Sequence, residues 1–510
     1  MLFARTISVF VFVASICLSQ QPRPPLHRHL STLPDPVMLT STDVAAVVQA
    51  AAASVNTDAM VIAVSDRQGD ILAIYQKPSA PATSLANFGV QAPTAEVAVA
   101  LARTTSFFSN DQAPLSSRTV RYISGIHFPP GIDYTSNAAL YGIENTNRGC
   151  PFNADYIPGQ EFPPARSIDG TQPGLGILTG KANLYDSVPT AVNPGGVPLF
   201  KQGILVGGVG VAGVSPDVAE FAAVSGSLGA GFFVPLPLPF PGEVVINGVA
   251  LPFVDQTTMP AGYGPGSADG TYSLGPLGAP KPDPEGDLVA PHAGPVGGLT
   301  QEDVQNIVNA AVAQANITRA VIRLPLGTRA RMVIAVADLD GSLLALHRMD
   351  DATVFSIDVA AGKSRNVIFF SGPNRLASDL PGVPMGTAVT NRTLGFAGQP
   401  IYPPGIDGTA PGPFFPLYEF DTLNPCTQGS DTSNPQYQNG IVFFPGSVPL
   451  YKNGVLVGGL GVSGDGVDQD DFVTSAGGAL FPAPTNIRAD QIIDQGVRLP
   501  YQKFPQNPTY

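Results

Sequence analysis

Val333-Ile334-Ala335-Val336-Ala337-Asp338 repeats, with one change, an earlier stretch of the chain, Val61-Ile62-Ala63-Val64-Ser65-Asp66. Turn chemistry follows each, Gln68-Gly69-Asp70 in one place and Asp340-Gly341-Ser342 in the other, and then a second apolar run. A β-branched run, an Asp/Gly turn and a return run predict a hairpin, over Met60–Ser65 with Ile71–Gln76 and again over Met332–Ala337 with Leu343–Met349. The repetition extends in both directions. Upstream, Leu39-Thr40-Ser41-Thr42-Asp43-Val44 matches Leu299-Thr300-Gln301-Glu302-Asp303-Val304, a helix start with a threonine cap and an acidic residue three positions on. Val44, Val47, Val48 and Ala51, like Val304, Ile307, Val308 and Ala311, recur at helical spacing.

Downstream, Val97, Ala98, Leu101, Ala102 and Thr105 mark a second helix, answered by Val359, Ala360, Lys363, Ser364 and Val367. Phe107-Phe108-Ser109 returns as Phe369-Phe370-Ser371. Val197-Pro198-Leu199-Phe200 and Val448-Pro449-Leu450-Tyr451 open another hairpin, whose return strands begin Gly203-Ile204-Leu205-Val206-Gly207-Gly208 and Gly454-Val455-Leu456-Val457-Gly458-Gly459. A third helix is expected at about 216–226 and 467–477. A repeat about 250 to 270 residues apart is a duplicated domain, since solenoid repeats run to roughly 20–50 residues.

Two long Gly/Pro-rich excursions, roughly 109–195 and 371–445, interrupt the copies, and each contains Pro-Pro-Gly-Ile-Asp, at 129–133 and 403–407. Segments this long without strong periodicity are functional loops, covers or elaborate surfaces. The expected organisation is therefore a signal peptide at 1–19, a flexible tail at 20–36, a first domain at 37–259, a flexible or extended Gly/Pro-rich linker at 260–297 and a second domain at 298–510. Arg5 and the apolar stretch Ile7 to Leu18 carry the signal, which predicts an exported protein, periplasmic or extracellular. No later stretch has 18 uninterrupted apolar residues, so no membrane insertion is expected after signal removal.

The chain has 26 basic against 39 acidic residues, a net −13, and no basic cluster. That balance disfavours nucleic acid and anionic membrane surfaces as partners. Beyond Cys17 in the signal, the cysteines are Cys150 and Cys426, at matching places in the two copies. An even count in an exported protein favours a disulfide, which could staple the copies where equivalent loops meet; two separate thiols are the alternative.

Copy two carries a family resemblance. Ala335-Val336-Ala337-Asp338-Leu339-Asp340-Gly341, His347-Arg348-Met349-Asp350-Asp351, Ser356-Ile357-Asp358-Val359-Ala360 with Lys363, and Gly458-Gly459-Leu460-Gly461-Val462-Ser463-Gly464 followed by Asp468-Gln469-Asp470 resemble the GlcG/HbpS-like haem-binding family, the domain also found at the C-terminal end of PduO-type proteins. Copy one keeps the apolar frame but has Tyr75-Gln76-Lys77-Pro78 in place of His-Arg-Met-Asp and Leu101 in place of Lys363. The resemblance implies an α/β (α+β) fold of two profilin-like domains, each an antiparallel β-sheet flanked by helices, here packed as an internal pseudo-dimer. It also implies homo-oligomers and the binding of a small molecule, haem or a related tetrapyrrole, and no catalytic constellation shared across the family.

His347 is the leading candidate ligand, because imidazole is a good axial donor to haem iron and Arg348 beside it could pair with a propionate. The plainer alternative is a structural histidine at the sheet margin. His127, between Ile126 and Phe128 in the first excursion, is a second candidate, with a hydrogen-bonded loop histidine as its alternative. His27, His29 and His292 lie in the tail or linker, and no two histidines have metal-ligand spacing.

Gly208-Val209-Gly210-Val211-Ala212-Gly213 and Gly459-Leu460-Gly461-Val462-Ser463-Gly464 spell GxGxxG. They read as continuing strand with glycines that let a helix approach, not as a dinucleotide turn. Asp465, Asp468, Asp470 and Asp471 complement a helix N-terminus, a weak cation site being the alternative. No nucleophile, base or carboxylate pair stands out, so binding without chemistry is expected. A cofactor-free interaction scaffold is the rival, and an enzyme of unknown substrate the weaker option.

Overall fold

The computed structural model describes residues 36–152, 165–232, 244–430 and 438–509. The expected signal peptide, with Cys17, and the tail with His27 and His29 fall outside the described residues, Pro36 excepted.

Thr40 accepts the backbone N–H of Asp43, whose carboxylate accepts the N–H of Thr40 in return. This capping box starts α1 (Ser41–Ala53), which buries Val44, Val47, Val48 and Ala51. The hairpin β1 (Val61–Asp66) and β2 (Ile71–Gln76) comes next, then a small hairpin of β3 (Thr83–Leu85) and β4 (Gln91–Pro93), and α2 (Thr94–Phe108). After α3 (Ser117–Tyr122) come β5 (Gly196–Lys201), β6 (Ile204–Ala212) and α4 (Pro216–Gly229), and then a short hairpin of β7 (Val245–Ile246) and β8 (Val249–Ala250).

The segment 260–297, expected as a linker, supplies β9 (Thr271–Leu274) and β10 (Gly286–Val289). The second half then follows the order of the first. Thr300 and Asp303 cap α5 (Gln301–Ala315) as Thr40 and Asp43 cap α1. Next are β11 (Met332–Ala337), β12 (Leu343–Arg348), α6 (Phe355–Ser371), α7 (Asn391–Ala397) and α8 (Phe415–Leu423). The half closes with β13 (Ser447–Lys452), β14 (Val455–Gly464), α9 (Val467–Gly477) and the hairpin β15 (Ile493–Asp494) and β16 (Val497–Arg498).

Two five-stranded antiparallel sheets result, in the orders β5-β6-β1-β2-β9 and β13-β14-β11-β12-β10. The linker is therefore extended but not free: β9 completes one sheet beside β2, and β10 the other beside β12. Each sheet carries one helix, α2 or α6, against one face and a pair, α1 with α4 or α5 with α9, against the other. The GxGxxG glycines lie inside β6 and β14. A Cβ on Gly208 or Gly210 would collide with the carbonyls of Ala102 or Ala98 in α2, and one on Gly459 or Gly461 with those of Ser364 or Ala360 in α6. The glycines thus let a helix backbone ride directly on the strand.

The excursions are not bare loops. They contain α3, α7 and α8 and bury much of their surface: Val120, Ile123 and Ile143 join the core of the second half, and Ile126 and Tyr141 join a cluster built around Leu394, Tyr418 and Phe443. No helix among the described residues is long and apolar enough to cross a membrane.

Candidate functional site

His347 sits on β12 between two neighbours, directly opposite Ile334 of β11 and Asp287 of β10. Its Nδ1 lies 2.7 Å from Asp287 Oδ1, and a quarter (24%) of the side chain is exposed. A carboxylate only accepts, so the pairing puts the proton of the neutral ring on Nδ1 and leaves a lone pair on Nε2. Among the described residues Nε2 has no hydrogen-bond partner. In the first sheet the matching position is closed: Tyr75, opposite Ile62 and Tyr272, packs its ring 4.9 Å from that of Tyr272 and donates its hydroxyl to Ala268 O.

Arg348 does not share this environment. Successive strand residues point to opposite faces, and the guanidinium is fully buried on the other side. Nε and Nη2 donate to Ala352 O, and Nη1 donates to Pro284 O and pairs with Asp283 at 2.6 Å. The guanidinium expected to meet a propionate is thus engaged by Ala352 O, Pro284 O and Asp283.

Arg348 instead ends a buried ionic chain. Asp283 also faces Arg67 Nε at 3.2 Å, and Arg67 Nη2 pairs with Asp351 at 2.6 Å. Arg323 joins Asp351, at 2.5 Å, to Asp465. Burial opposes the charge on Arg67, but Asp283, Asp351 and Asp111 outweigh it and hold the guanidinium protonated. Burial likewise pushes Asp351 upward, yet Arg67 and Arg323 overcome it and keep its carboxyl below the usual range. Residues of both halves and of the linker thus meet in one chain of alternating charges.

His127 lies in a different contact, between the excursions. Nδ1 is 2.7 Å from Ser187 Oγ and Nε2 is 2.7 Å from Asp407 Oδ1, whose other oxygen accepts the N–H of Tyr134. Both ring nitrogens are engaged, so His127 clamps one Pro-Pro-Gly-Ile-Asp loop onto the other. No described contact links it to His347 or Arg348. Nearby, Cys150 and Cys426 form a disulfide, and Asn145 Nδ2 donates to Asp421 Oδ2 at 2.8 Å. Burial raises the Asp421 carboxyl to about 8 although Asn145 and the N–H of Ile441 favour its charged form.

Sequence reasoning missed a fully buried lysine in the same region. Lys181 Nζ stands 4.0 Å from Glu144 Oε2 and 4.7 Å from the centre of the Tyr141 ring, without a hydrogen bond. Burial pulls its pKa down, with Glu144 opposing. The acidic cluster around α9 is paired off with cations: Asp465 with Arg323, Asp468 with Arg392 and Lys503, Asp470 with Lys363, and Asp471 with Arg392. That is charge pairing, not an open cation site.

One cavity of about 650 Å³ opens where the halves meet. It falls within the roughly 300–1,000 Å³ of small-molecule sites. Among the described residues no histidine, cysteine, methionine or tyrosine lines it, and these are the common donors to a haem iron.

No curated protein matches the chain. Three solved structures are similar over part of it. The PduOC:haem complex is 21% identical, with a TM-score of 0.23, over 36% of this chain and 95% of that one. The Klebsiella pneumoniae protein ORFY is 22% identical, with a TM-score of 0.22, over 34% and 85%. A double mutant of Streptomyces reticuli HbpS is 19% identical, with a TM-score of 0.21, over 40% and 98%. Over residues 299–479, which run from the start of α5 to just past the end of α9, the chain matches the family described as haem degrading protein HbpS-like.

Proposed function

We propose that the protein is exported and binds haem or a related tetrapyrrole through its second half, with His347 as the axial ligand. Two profilin-like, GlcG/HbpS-like domains pack as an internal pseudo-dimer in this reading, and the first half completes the pair without a ligand of its own. The observation that carries it is the Asp287–His347 pair. A carboxylate on one ring nitrogen with the other left open is the arrangement that orients a metal-bound histidine and raises its basicity. The match of residues 299–479 to a haem-related family supports the choice of haem. Bound there, haem would supply a redox-active iron; the chain would hold it through His347 Nε2, oriented by Asp287. Arg348 and His127 have structural roles instead, in the ionic chain and the loop clamp. The disulfide supports export, since such bonds persist in oxidising compartments.

The test is a haemin titration of the full-length, oxidised protein followed at the Soret band. A saturable shift with one site per chain is expected, and His347→Ala should remove it. With no saturable shift, the haem reading fails. The extensive contacts between the halves then favour a cofactor-free scaffold.

A further inference from the structure

The seam cavity has a composition that the haem reading does not use. Ile123 and Leu140 from the first excursion, Ile246 from β7, and Ile322, Phe355 and Phe504 from the second half give it apolar walls. Three charged residues line it: Arg319, Asp468 and Lys503. Asp468 is already shared by two cations, Arg392 at 2.6 Å and Lys503 at 2.9 Å. Arg319 is different. Among the described residues its guanidinium has no carboxylate or carbonyl partner, and its Nε is buried without a hydrogen bond. Its backbone is fixed, because its N–H donates to Pro508 O in the C-terminal tail and it bridges to Arg329.

A buried donor left unmatched costs free energy unless something fills the site. A guanidinium fork is shaped for a planar anionic head group. Apolar walls with one convergent cation define a site for an amphipathic anion. Among the described residues its lining holds no histidine, which separates it from the His347 site.

We infer that the seam cavity binds a small amphipathic carboxylate, its head group on Arg319 and its apolar body against Ile123, Leu140 and Phe355. The site is assembled from both halves, so it exists only in the intact chain.

The probe is anilinonaphthalene sulfonate, an apolar anion whose fluorescence rises on leaving water, competed with decanoate or with decanol. Saturable binding at one site per chain is expected, displaced by decanoate and not by decanol. Arg319→Gln should weaken the probe by about tenfold or more, a loss corresponding to one well-placed charged contact. Leu326→Trp, a change at an exposed residue of the cavity wall, should weaken it by filling space. If Arg319→Gln fails to fold, Leu326→Trp and the decanoate-to-decanol contrast decide. Absence of saturable binding, equal competition by decanol, or parent-like affinity in folded Arg319→Gln each overturn the inference. The haemin titration of Arg319→Gln should match the parent, which keeps failure here distinct from failure at His347.

Discussion

Asp287 reaches His347 through a single 2.7 Å hydrogen bond, and that bond sets which ring nitrogen is open. Asp287→Ala should therefore leave haemin binding present but weaker by about 10–100-fold, the usual effect of removing such a support; an unchanged Soret titration would count against the pair. A second residue-scale effect concerns pH. Asp421 and Asp66 both have carboxyls raised by burial to about 8. Each keeps its proton in the folded chain between about 4 and 8 while the unfolded chain loses it, so each contribution is full in acid and lost as pH rises through about 8. Asp421→Asn should flatten the fall in denaturation midpoint between pH 4 and 8. The new amide has a partner at hand, since Asn145 Oδ1 is unbonded and can accept once that side chain turns over. At this scale the sequence revealed which residues matter more readily than what they touch. His347 was legible, but its partner comes from a short strand 60 residues away in a Gly/Pro-rich stretch. His347 and Arg348, read together from the sequence, lie on opposite faces of β12 because neighbours on a strand face opposite ways.

The glycine-rich return strands are where an element depends on the absence of a side chain. Gly461→Ala would push a methyl into the Ala360 carbonyl of α6 and should cost at least about 1–3 kcal/mol, the range for overpacking a tight core. Gly264→Ala, where a Cβ meets only Asn56 Nδ2 at 3.9 Å, should leave the urea midpoint near the parent's, and equal midpoints for the two variants would refute the close approach. Hairpins, capped helices and these strands were legible because each has a local signal: period, cap or turn. The helices inside the excursions were not. α3 is only six residues long and α7 seven, too short for a helical period to stand out from Gly/Pro-rich surroundings.

For the whole molecule, the Cys150–Cys426 bridge joins points 276 residues apart. Closing so long a loop constrains the unfolded chain strongly, so Cys150→Ser with Cys426→Ser should lose about 2–5 kcal/mol of stability, read from denaturant curves. Counting thiols in denatured, unreduced protein gives a second check. None should react in a chain that lacks Cys17, and one should react in a chain that carries it. The strand order common to the two halves was visible in the repeats, but their joint was not. The ionic chain through Arg67, Asp283 and Asp351 and the clamp of His127 on Asp407 are long-range pairings, made by residues that look like ordinary surface charges until the fold brings them together.

The two linker strands decide where the chain can be divided. A fragment beginning at residue 298 would discard β10, and with it Asp287, and would leave β12 as an open edge able to add a strand from another copy. Such a fragment should self-associate on size-exclusion chromatography and give a misleading haemin titration. A fragment beginning near residue 280 retains the edge strand and the carboxylate and should associate less. β9 and β10 thus belong to different sheets, although both lie in one stretch of glycine and proline that composition alone would assign to neither.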